Sequence, residues 1–181
     1  ESSDGWIAGD YCSDKGAWVT YNASGTAGTE ADPFLICNAE QLANISGAPA
    51  MSSHYKLMGD IDLAPYYTAP NPQFQIGDCG AGGCAVWDGN DEFEGSFDGY
   101  GYTIDNFTYN DAGIHGVALF GSTNSGAVIK DLNLSNVNLI AGSNAGGLVG
   151  ELDREKIKNC SVQGSISGVG NLGGIVGTSF Q

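Results

Sequence analysis

Basic residues are what this sequence most lacks. Six Lys and Arg stand against 21 Asp and Glu, for a net charge of −15. Phosphate binding needs Lys and Arg, so nucleic acid and anionic membrane are poor partners for such a chain. No apolar run approaches the roughly 20 residues of a spanning helix, so membrane insertion by this segment is not expected. No signal peptide is visible, and the chain begins at Glu1 rather than Met, which reads as a piece processed or excised from a longer protein. Cysteines are few, none in a C-x-x-C pair, and His54 and His115 lie far from them in sequence, which argues against zinc. H-E-x-x-H and G-x-S-x-G are both missing, and with them the peptidase and hydrolase signatures they carry. Arg154 is the only arginine and sits between Asp153 and Glu155, placed to pair with its neighbours.

Glycine, by contrast, is abundant: 29 residues with no G-X-Y period, which excludes collagen and points to many tight turns between short strands. Three similar elements end at Gly121, Gly150 and Gly177, spaced 29 and 27 residues apart. Between them, Ile129-Lys130-Asp131-Leu132-Asn133-Leu134 matches Ile157-Lys158-Asn159-Cys160-Ser161-Val162 at an offset of 28. A weaker copy runs from Ile104 to Tyr109. A fixed period of roughly 20–50 residues marks a solenoid or propeller. Leu132 and Leu134 alternate with polar Asn133, the period-two pattern of a strand with one buried face. The period is too short for a four-stranded propeller blade and fits one coil of two or three short strands. Glycines then occupy corners that need positive φ or close backbone approach. Cys160 takes the inward position of Leu132 and reads as a small packing residue rather than a reactive thiol.

These coils resemble the GLUG-motif repeats of bacterial surface proteins, which also occur in non-catalytic regions of some IgA-specific metallopeptidases. Three upstream stretches extend the resemblance: P-F-L-I-x-x-A-E-Q-L at Pro33–Leu42, Y-K-L-x-x-D-I-D-L at Tyr55–Leu63, and F-x-G-x-F-D-G-x-G-x-T-I at Phe93–Ile104. Together they cover about residues 31–181. The resemblance implies an all-β chain folded as a right-handed parallel β-helix (a β-solenoid) and a surface location, but it names no ligand. The expected organisation is an N-terminal aromatic segment (1–30), a cap with one short α-helix, first strands and a loop insertion (31–92), and solenoid coils (93–181) that continue beyond the fragment.

The expected helix starts at Asn38, which can cap it, with Gln41 in the capping-box position, Leu42 and Ile45 on its apolar face, and Gly47 at its end. Such a helix covers strands that would otherwise pair with other chains. Two stretches depart from the family pattern: residues 1–30, and residues 64–92 with Pro65, Pro70 and Pro72. Departures of this kind often carry function, so Trp6, Trp18, Tyr66, Tyr67 and Trp87 are the candidate ligand-binding residues, as stacking platforms for a glycan or protein. Packing of the same rings onto the cap is the competing reading.

The run Asp88, Asn90, Asp91 and Glu92 could supply oxygens to calcium, although it matches neither the EF-hand nor the nonapeptide repeat. No other cofactor is expected. Asp98 has a simpler role, at a turn corner. Asp60 and Asp62 share a strand face and could act as paired carboxylates, but they read as solvated or turn-bonding residues. Cys79 and Cys84 flank a glycine-rich loop, and Cys12 with Cys37 could tie down the N-terminal segment; both pairings suit an exported protein.

These features point to a non-catalytic module of a secreted or cell-surface bacterial protein, an adhesin tip or stalk segment. Its expected partner is a glycan or protein on a host or prey cell, with homo-oligomerisation in a fibre left open. A structural spacer and a polysaccharide-acting β-helix enzyme are the alternatives. The second would need acids from successive coils along a groove, whereas Lys130–Gly170 carries mostly Asn, Ser and Gly.

Overall fold

The computed structural model describes residues 19–20, 28–46, 50–68, 73–77, 92–124, 126–154 and 156–180. The chain is mostly β-strand, and its sheets are almost entirely parallel. After Val128–Lys130 in a first sheet, it enters a second sheet as Asn133–Ala141 and a third as Val149–Asp153. It then repeats the circuit one layer on, as Lys156–Lys158, Ser161–Ser167 and Val176–Phe180. The register is the sequence repeat itself: Ile157 pairs with Ile129, Val162 with Leu134, and Val149 with both Phe120 and Val176. Hydrophobic alternation sets this register, because a slip of one residue would turn every apolar side chain outward.

The first sheet extends well upstream of the repeat. Phe34–Ile36, His54–Leu57 and Ser96–Asp98 precede Val128–Lys130 in one parallel ladder, and Val19–Thr20 pairs antiparallel at its start. Tyr55, Phe97, Ile129 and Ile157 are successive partners in that ladder, and Ile61, Ile104, Leu134 and Val162 play the same part in the second sheet. These columns converge on one core. Phe93, Phe97 and Phe120 pack there with ring centroids 5.1 and 5.4 Å from Phe120, and Tyr55 lies 6.3 Å from Phe93. Each such side chain, fully buried, stabilises the fold by roughly 1.5–3 kcal/mol.

Asn and Asp turn several corners expected of glycine. Asn106 and Asn136 adopt φ of 60° and 50° at equivalent places, as do Asp131 and Asn159 at 53° and 51°. Asn tolerates this left-handed region because its short polar side chain bonds locally. Asn159 Nδ2 also donates to Asp131 Oδ1 at 2.9 Å, tying one corner to the next. Gly121, Gly150 and Gly177 serve the other need, close approach of backbones.

The capped helix is present as Ala39–Ala43, continued by a 3-10 turn at Asn44–Ser46; Gly47 lies outside the described residues. Gln41 N–H donates to Asn38 Oδ1 at 2.8 Å, and Gln41 Oε1 accepts from Cys37 N–H at 2.7 Å. The expectation of one helix needs correcting. A second short helix, Ala64–Thr68, follows the second-sheet strand Ile61–Asp62. Pro65 sits in its first turn, where a missing N–H leaves no bond unmade, and Asp62 Oδ1 accepts from Ala64 N–H at 2.9 Å.

Candidate binding surfaces

Of the sequence-derived aromatic candidates, Tyr66 and Tyr67 are in described segments; Trp6, Trp18 and Trp87 lie outside them. Both tyrosines are half-buried on the second helix. Tyr66 meets Tyr67 edge-on at 5.6 Å and Phe74 at 5.5 Å, Tyr67 stacks on Phe74 at 6.4 Å, and Phe74 rests on Phe107 at 6.1 Å. This layer is continuous with the core. Burial pushes the Tyr67 hydroxyl up to about 12, against a smaller opposite effect of the Thr108 backbone. Burial also raises Tyr66. The two rings border shallow open depressions of about 400 and 420 Å³, one beside Asn44 and Tyr109 and one beside Asn106 and Thr108. The packing role and an exposed ring edge therefore coexist.

Of the proposed calcium ligands, Asp88, Asn90 and Asp91 lie outside the described residues, and Glu92 is 5% exposed. Among the described residues, no three His, Cys, Asp or Glu gather at metal-binding distance. Cys37 follows the strand Phe34–Ile36; Cys12, Cys79 and Cys84, and with them both expected pairings, lie outside the described residues. Cys160 is free and half-buried against the core at the position below Leu132, and burial raises its thiol.

Asp98 and Asp62 bond within their own turns, whereas Asp60 ties its layer to the next. Asp98 Oδ1 accepts from Tyr100 N–H at 2.9 Å, and Asp60 Oδ1 from Thr103 N–H at 2.7 Å. Asp62 Oδ1 accepts from Asn106 Nδ2 at 2.8 Å, and these bonds hold its carboxyl below the usual range. Arg154 Nε lies 3.6 Å from Asp153 Oδ1.

One surface was not singled out from sequence. On the outward side of the first sheet, an open groove of about 420 Å³ runs across three strands. His54, Ser96 and Val128 form one row along it; Lys56, Asp98 and Lys130 form the next. His54 Nδ1 is 2.6 Å from Ser96 Oγ, and Lys130 Nζ is 2.7 Å from Asp98 Oδ2. That carboxylate raises the Lys130 ammonium. Lys56 Nζ stands 3.8 Å over the Tyr100 ring, a cation–π contact. Glu30 and Glu94 close the rim, and Glu94 Oε1 accepts from Asn124 Nδ2 at 2.9 Å. The only sequence signal for this surface is a polar residue two positions apart in each first-sheet strand, which is also what any solvated strand face shows.

Comparisons with known proteins bear on the repeat. Residues 141–167 match the model of the GLUG motif. The chain is 29% identical over 112 residues to a protein named as a Gly-rich membrane protein, from Evansella cellulosilytica, covering 62% of this chain and 12% of that protein. It is 30% identical over 163 residues to a halomucin from Haloquadratum walsbyi, covering 87% of this chain and 2% of the halomucin. The chain thus spans a small part of either relative. No solved structure matches it. Among the described residues no helix is long and apolar enough to cross a membrane. The chain carries a GLUG motif, set in a parallel-stranded repeat, and is similar to a Gly-rich membrane protein and to a halomucin.

Proposed function

We propose that this chain is a non-catalytic binding module of a cell-surface protein, an adhesin tip or stalk segment wound as a right-handed parallel β-helix. In-register parallel strands in three sheets support the winding, and the GLUG match with the two relatives supports the surface location. The observation that carries the binding role is the groove on the first sheet, where charges of both signs, an imidazole and a hydroxyl line one open surface. Rigid strands hold those groups, so little ordering would be lost on binding. The aromatic layer of Tyr66 and Tyr67, with Trp6, Trp18 and Trp87, is a second proposed platform, for stacking against sugar rings.

A glycan array and a pull-down with this protein test the reading. Binding that is lost in His54→Ala or Lys130→Ala places recognition in the groove. Binding lost in Trp18→Ala, Tyr67→Ala or Trp87→Ala places it on the aromatic segments. No ligand in either assay leaves the spacer reading. The pairings Cys12–Cys37 and Cys79–Cys84 belong to the same proposal of an exported protein; non-reducing peptide mapping should find both, with Cys160 alone alkylated. Calcium at Asp88–Glu92 predicts a melting temperature that rises with added Ca²⁺ and falls back with chelator.

A further inference from the structure

Four of the six basic residues, Lys56, Lys130, Lys156 and Lys158, lie on the first sheet. All four face outward. Lys56 lies between core residues Tyr55 and Leu57, and Lys130, Lys156 and Lys158 flank Ile129 and Ile157, which point into or against the core. Register makes Lys56, Asp98, Lys130 and Lys158 one row, and His54, Ser96, Val128 and Lys156 the row beside it. Neighbouring strands are ~4.8 Å apart, and residues two apart on a strand ~6.6 Å.

The row is polarised. Toward its start, Lys56 is held over Tyr100, Lys130 is paired with Asp98, and Glu30 and Glu94 stand at the rim. At the far end of the two rows Lys156 and Lys158 are exposed, and neither enters an ion pair among the described residues. Lys156 and Lys158 lie two positions apart on one strand, and no carboxylate among the described residues pairs with either. Exposed lysines also suit the last described strand of a sheet, and an external anion would relieve the repulsion between them.

We propose that this face binds a uronic-acid-containing oligosaccharide laid across the first sheet, from the groove to the strand next to it, with a carboxylate among Lys130 at the groove's end and Lys156 and Lys158 just beyond it. The inference rests on the binding-module reading above and names its ligand class. Hydroxyls of the following sugars meet Ser96 and then His54, which offer both donors and acceptors. The groove volume of about 420 Å³ suits a short saccharide rather than a folded protein surface. A strand spacing close to the length of one pyranose lets successive sugars meet successive strands. The chain's net charge of −15 and the rim acids Glu30 and Glu94 repel any anion, so a ligand charged at every other sugar, with one carboxylate at the lysine end, is opposed less than a polyphosphate charged along its whole length.

The test is calorimetric titration of this protein with an oligosaccharide alternating glucuronate and N-acetylglucosamine, with its carboxyl-reduced counterpart, and with a short poly-glutamate. The expected result is measurable affinity for the first, falling about tenfold on carboxyl reduction and by a similar factor in Lys156→Gln/Lys158→Gln, two exposed charge contacts being lost. Both lysines are exposed, so the variant should melt as the parent does. No affinity for the glucuronate oligosaccharide, equal affinity for the reduced sugar, or an unchanged affinity in the double variant would overturn the inference. Tighter binding of poly-glutamate would replace it with an acidic peptide. Failure of the binding-module reading looks different: no glycan or protein is retained in the array and pull-down at all.

Discussion

At Gly150 the fold leaves no room for a side chain. A Cβ there would lie 2.4 Å from the Gly116 carbonyl oxygen and 2.6 Å from that of Gly121, both backbone atoms. Gly121 and Gly177 are equally confined, at 2.3 Å from the Gly77 carbonyl oxygen and 2.5 Å from the Asn144 carbonyl carbon. Gly150→Ala should therefore destabilise the protein by about 1–3 kcal/mol, toward the upper end because backbone cannot yield as a side chain can. Gly59 is the control: no atom lies within 4 Å of its Cβ direction, and Gly59→Ala should be neutral or stabilise by ~0.4–1 kcal/mol. Urea unfolding midpoints of the two variants decide this, and equal midpoints would contradict it. The repeat glycines were legible in the sequence, but which constraint each obeys was not. A glycine excused from steric contact and one needed for positive φ look alike, and here Asn106, Asn136, Asp131 and Asn159 supply much of the positive φ.

Elements were legible where a period or a cap marked them. Period-two alternation located Asn133–Ala141 and Ser161–Ser167 by their first residues, but not the full length of the first, because Asn136 bends the strand within its run. Asn38 marked the helix Ala39–Ala43, and Asn38→Ala should cost about 1 kcal/mol, read as a lower thermal midpoint. The helix Ala64–Thr68 is too short to show an apolar period and falls in the stretch that departs from the repeat pattern, although Pro65 is well placed in a first turn. Its aromatic layer makes a prediction at alkaline pH. Tyr67 is pushed up to about 12 by burial, and burial raises Tyr55 as well, against a hydrogen bond from Ser53. Unfolded tyrosines ionise near pH ~10. Above that value the unfolded chain gives up protons that the folded chain keeps, so stability is full below pH ~10 and falls as pH rises toward ~12. Ultraviolet titration alongside circular dichroism tests this: the last tyrosinate absorbance should appear with loss of sheet signal, not before it. The groove on the first sheet stayed hidden at this scale, since its rows join strands far apart in sequence that only the register brings together.

Across the whole molecule, burial is graded along the ladder. Ile129, Leu132, Leu139 and Val149 are fully buried, while their counterparts Ile157, Cys160, Ile166 and Val176 are only partly so. Leu172, Ile175 and Phe180 on the same layer are 42, 39 and 42% exposed. Each layer of a stacked repeat is stabilised mainly by its neighbours, so a layer with one neighbour opens at lower free energy than a layer with two. Asn133–Ala141 lies between Ser161–Ser167 on one side and Thr103–Asp105 with Thr108–Asp111 on the other, whereas Ser161–Ser167 pairs on one side only among the described residues. Native-state hydrogen exchange should show amides of Ser161–Ser167 that bond to the preceding strand exchanging at least about tenfold faster than those of Asn133–Ala141. Equal protection would mean that the outer layer does not open independently, or that in solution something covers it. Repeating the exchange at several protein concentrations separates these: protection that rises with concentration identifies the cover as a second copy, and protection that does not change identifies one cooperative unit. The same experiment bears on the lysine pair, because Lys156 and Lys158 sit on the same layer as Ser161–Ser167. A ligand bridging them to Lys130 would join the outer layer to the protected one, so slower exchange of Ser161–Ser167 on adding the acidic oligosaccharide is the structural counterpart of its affinity.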